Sequence, residues 1–115
     1  AASRVRFYGQ NRDFSVALGM SIDADDLPRK IALVDRAMSR MPNASLVTLR
    51  ILLATLDDDL PTARMHLRRA FKFHAQHSEA IEQRLRAAIE ARPADFGALV
   101  PVLDEELLRR PKPRW

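Results

Sequence analysis

At 115 residues the chain is long enough for one domain with a single core. It is 47% hydrophobic and 30% charged, a balance expected of a folded domain. Only three glycines argue against glycine-dependent β and open α/β folds, and the lack of cysteine excludes disulfides, thiolate metal sites and cysteine nucleophiles. The net charge is +4, and all but three of the 19 basic residues are arginine. That bias suits an anionic partner, and it equally suits arginine-rich codon usage, because acidic residues are interspersed throughout.

In chain order, residues 1–20 read as an N-terminal helix or the remnant of a preceding segment. Val5, Phe7, Tyr8, Phe14, Val16 and Leu18 are apolar there, and Gly9 and Gly19 interrupt them. A first residue of Ala1 rather than Met points to a processed or excised chain, with any targeting signal outside it. Asp25-Asp26-Leu27-Pro28 opens a helix: aspartates complement the helix dipole, and proline fits the first turn. The stripe Leu27, Ile31, Val34, Met38, Met41 continues it to Pro42-Asn43. The next helix, from Ala44 to Leu56, is apolar nearly all round and should be the most buried element.

Asp57-Asp58-Asp59 turns the chain, with Asp59 capping a helix that opens at Leu60-Pro61-Thr62. The inner stripe of that helix is Leu60, Ala63, Leu67, Ala70, Phe71 and His74, and Phe73 is also assigned to packing. Ser78 is expected to cap a fourth helix, which Pro93 stops. Phe96, Leu99, Val100, Leu103 and Leu107 mark a fifth helical region, which Pro101 should kink or split. The helical domain spans residues 21–108, and the basic, proline-containing stretch 109–115 reads as a disordered tail.

The helices repeat at a spacing of 33 residues. Val34, Arg36, Ala37 and Met38 align with Leu67, Arg69, Ala70 and Phe71. This spacing fits tetratricopeptide-like units, which are helical hairpins of about 34 residues. Ala54, Ala63 and Ala70 stand where two backbones must approach closely, and Leu67 is the bulky contact between them. The fold class is therefore all-α, with tetratricopeptide-like antiparallel hairpins and about five helices. Two units fall short of the three or so that bury a continuous core, so flanking segments must cap them, within what is expected to be a larger protein.

Little in the sequence suggests catalysis. His74 and His77 share one helix end, but a zinc site needs two further ligands and none is suitably spaced. Asp57-Asp58-Asp59 lacks the alternation, glycine and distal glutamate of a calcium loop. Asp104-Glu105-Glu106 reads as a solvated helix face, since adjacent helical residues point apart. There is no nucleophile elbow and no phosphate-binding glycine loop. No catalytic residue, cofactor, metal or small-molecule substrate is assigned. The surface feature with functional promise is Arg64, Arg68 and Lys72 on one helix face, with Arg69 beside them. It suits an anionic or protein partner, and also an ordinary solvated face. Exposed aromatics interleaved with the cations, as a nucleic-acid surface would need, are lacking.

Three stretches carry a family resemblance: Asp35-Arg36-Ala37-Met38 with Pro42-Asn43-Ala44, then Leu49 to Ala54, then Ala63-Arg64 with Leu67 to Ala70. Through them, Leu33 to Leu107 resembles the C-terminal domain of bacterial membrane-bound O-antigen polymerase/ligase-type proteins. The resemblance implies a soluble fragment tethered to the inner membrane by a parent enzyme that transfers lipid-linked glycans. The family's catalytic loop lies in its membrane portion and has no counterpart among these residues. The function expected is thus a non-catalytic helical-repeat interaction domain whose partner is the rest of a parent chain or an extended peptide. A stand-alone tetratricopeptide-like adaptor is the alternative, a basic nucleic-acid-binding regulator comes third, and an enzyme has the least support.

Overall fold

A computed structural model describes residues 15–109, and every regular element among them is helical. The readings made for residues 1–14 and for the tail beyond Arg109 lie outside the described residues. After a helical stretch over residues 15–19, the elements are α1 (Leu27–Arg40), α2 (Ala44–Leu56), α3 (Leu60–Phe73), a 3-10 turn (Ala75–His77), α4 (Ser78–Ala91), α5 (Pro93–Phe96) and α6 (Leu99–Arg109).

Local chemistry explains most of these boundaries. Asn43 takes extended backbone and its side chain accepts the Ser45 N–H at 2.8 Å, which starts α2. Asp59 starts α3 by accepting the Thr62 N–H at 3.3 Å. Between them Asp58 adopts a left-handed φ of 55°, and the Asp59 N–H returns to the Ala54 carbonyl at 2.9 Å. The reversal thus needs only three residues, which makes α2 and α3 an antiparallel hairpin.

Other boundaries differ from expectation. Asp26 stands at the N-cap of α1, but it sits in the left-handed region with no side-chain capping bond. Ser78 is the first residue of α4 rather than its cap. The 3-10 turn delivers the chain with Ser78 already helical (φ −61°, ψ −37°), whereas a cap needs non-helical backbone. Pro101 neither kinks nor splits the last region. It falls in the first turn of α6, where its missing N–H removes no helical bond. The break lies at Gly97-Ala98 instead. A Cβ at Gly97 would come within 2.6 Å of the Pro93 carbonyl oxygen, so glycine is required at that joint.

The core is organised around α2, in which every residue from Leu46 to Thr55 is buried. One face, with Leu46, Leu49 and Leu53, packs against Leu27, Val34 and Ala37 of α1 and against Ala17. The other, with Val47, Ile51, Leu52 and Ala54, packs against Ala63, Leu67 and Ala70 of α3, Ile81 and Leu85 of α4, and Phe96, Leu99 and Leu103 beyond. The 33-residue correspondence is therefore spatial as well. Val34 and Leu67, like Ala37 and Ala70, are buried at matching places on the two helices that flank α2. The two buried threonines of α2 are accommodated within the helix: Thr48 and Thr55 donate to the carbonyls of Ala44 and Ile51 at 2.9 Å.

Ala63 is fully buried at the α2–α3 crossing. Leucine there should overpack the crossing and lower stability by about 1–3 kcal/mol. Urea denaturation checks this, and an unchanged midpoint would mean that the two backbones do not approach closely at Ala63.

Candidate functional site

The four cations singled out in the sequence do not form one surface. Arg64 and Arg68 turn toward α6. Arg64 Nη1 lies 2.6 Å from Glu105 Oε2 and 3.2 Å from Glu106 Oε2. Arg68 clasps Glu106 with two bonds, Nε to Oε1 at 2.7 Å and Nη2 to Oε2 at 3.1 Å. Glu106 is buried, and the fork on Arg68 holds its carboxyl below the usual carboxylate range despite the opposing effect of burial. The run Asp104 to Glu106 is thus not a uniformly solvated face. Glu106 falls one helical turn beyond Val102 and Leu103 on the apolar stripe of α6, and that phase is visible in the sequence.

Arg69 and Lys72 are exposed and make no ion pair among the described residues. Lys72 Nζ stands 5.4 Å from the centre of the Phe73 ring, a cation–π contact that steadies the ring. Phe73, expected to pack inside, is 65% exposed. It lies off the Ala63-Leu67-Ala70 stripe, and the core side of α3 is already filled by Phe71. Phe73 overhangs a groove of about 410 Å³ between the end of α1 and the second half of α3. Met38, Pro42, Val47 and Ala70 supply its apolar lining, and Arg69, His66 and His74 its polar groups. No carboxylate lines it.

Beside this groove lies a second feature that the sequence did not flag. Arg50 is buried on α2 and donates from Nε to Asp35 Oδ1 of α1 at 2.9 Å. Its Nη1 is buried without a hydrogen-bond partner. Arg50 is the one charged residue in the apolar run from Leu46 to Leu56, and that anomaly was the available signal. Burial is the main cause that lowers the pKa of His66; Arg50 and Arg69 add to it and Asp35 opposes it. Burial and the two guanidiniums thus favour the neutral form of this groove imidazole.

A smaller pocket of about 180 Å³ lies at the start of α2, against α4. His77 belongs to it while His74 belongs to the groove, so the two histidines serve different places. Arg84 Nη1 donates to Ser45 Oγ across it at 2.8 Å. Among the described residues no three metal-ligating side chains are grouped, and no helix is long and apolar enough to cross a membrane. No protein-family model, curated protein or solved structure matches the chain significantly.

Proposed function

We propose that this chain is a non-catalytic helical-repeat interaction domain that seats an apolar-anchored peptide segment of a partner protein in the groove between α1 and α3. The observation that carries the reading is Phe73, a large aromatic side chain left exposed at the lip of an apolar groove. A groove of this size takes a few side chains rather than a whole protein surface, which favours an extended or single-turn segment. The walls are the two helices related by the 33-residue repeat, both fixed on α2, so the groove is largely pre-formed.

Selection from a displayed peptide library tests this directly. The expected result is enrichment of peptides with an aliphatic or aromatic anchor. Their affinity should fall by about 2 kcal/mol, roughly thirtyfold, in Phe73→Ser and stay unchanged in Arg84→Ser. Because Phe73 is mostly exposed, its replacement should shift stability by no more than about 0.5 kcal/mol, so lost binding will not reflect lost fold. No enrichment, or enrichment indifferent to Phe73, would refute the reading.

The resemblance to O-antigen polymerase/ligase C-terminal domains motivates a companion proposal: the domain is the soluble part of a bacterial inner-membrane glycan polymerase or ligase. Under that proposal its open reading frame encodes about ten apolar spans upstream, by hydropathy. A short open reading frame without them removes the membrane parent and leaves the stand-alone adaptor.

A further inference from the structure

We infer that the segment seated in the groove carries an acidic side chain beside its apolar anchor, the carboxylate being held by Arg69. This rests on the groove being a peptide site and adds the chemistry of its occupant. The inference comes from the arginine that lines the groove. Arg29, Arg50, Arg64, Arg68, Arg86 and Arg92 each have a carboxylate within 4 Å, while Arg84, which bonds Ser45, and Arg109 have none among the described residues and lie outside the groove. Arg69 has none among the described residues, although it lines the groove. Its neighbours in the groove are apolar side chains and two histidines, and the buried Arg50 guanidinium lies close enough to influence His66.

The local field is therefore positive. Burial is the main reason the His66 pKa is lowered, and Arg50 and Arg69 add to it while Asp35 opposes them. A carboxylate at Arg69 would meet a planar guanidinium with free donors, the geometry that recognises carboxylates with two parallel bonds. The apolar lining and Phe73 hold the neighbouring anchor. A nucleic acid fits less well, because its bases would need several exposed aromatic platforms and the groove has one.

The test uses peptides enriched on the domain, resynthesised with every Asp and Glu changed to Asn and Gln. The acidic forms are expected to bind about tenfold or more tightly than the amide forms. Arg69→Gln should abolish that preference while retaining binding of the amide forms, with circular dichroism confirming an unchanged helical fold. Peptides that bind equally in both forms, and still require Phe73, would overturn the acidic occupant and leave the groove reading intact. Peptides indifferent to both Phe73 and Arg69 would overturn both. Tighter binding of a single-stranded oligonucleotide, or of vesicles containing phosphatidylglycerol, than of any acidic peptide would assign the cations to another ligand and overturn the inference.

Discussion

Leu67→Ala should lower the unfolding free energy by about 3–5 kcal/mol, a large share of the roughly 5–15 kcal/mol that holds a domain together. Leu67 is fully buried on α3 and belongs to the cluster in which α2, α3, α4 and the last two helices meet. Its removal leaves a void with little freedom to collapse, because Ala63 and Ala70 beside it already bring α3 close to α2. Val34 holds the matching place one repeat earlier and is as deeply buried, but it faces the smaller cluster between α1 and α2. Val34→Ala removes two carbons rather than three, from the smaller cluster, so its effect should be smaller. Urea titrations of both variants, followed by circular dichroism, check the ranking. Equal losses would mean that the two faces of α2 are not separate packing environments.

Acid should loosen the bundle at the contact between α3 and α6. The Glu106 carboxyl is held below its ordinary value, chiefly by its bond to Arg68, so the folded state favours its charged form. The stability it contributes is complete above the unfolded pKa, near 4.3 for a glutamate, and is lost as pH falls through the lower folded value. Glu106→Gln should flatten part of that acid limb and reduce stability at neutral pH by about 1–3 kcal/mol. The ionic part is reduced by solvent, because the Arg68 side chain is half exposed. Asp23 and Asp59, also lowered by their hydrogen bonds, keep some acid dependence in the variant. Removing Arg64 and Arg68 together should be worse than removing Glu106, since it strands a buried carboxylate while the reverse leaves two cations free to reach water. Identical acid midpoints for the native chain and Glu106→Gln would contradict this.

Much of the fold was legible because its signals are local and redundant. The α2–α3 hairpin combines a nearly all-apolar helix, a capping aspartate, a short acidic turn and small residues at the crossing, and all of them agree. Pro101 misled because a proline's effect depends on its distance from the helix start, and that start was set by the break at Gly97. The site was less legible, since it depends on which elements meet. Arg64 and Arg68 look like Arg69 along the helix, yet the position of α6 gives the first two a carboxylate and leaves the third facing the groove. Phe73 read as core because it is aromatic, while its phase on α3 pointed outward.

The most direct measurement is an amide chemical-shift titration of the isolated chain with a selected peptide. The expected result is saturable change concentrated at Met38, Val47, His66, Ala70 and Phe73, absent when the same titration uses Phe73→Ser. Changes centred instead on Ser45, Ala80 and Arg84, or spread evenly over the basic surface, would contradict a binding groove between α1 and α3.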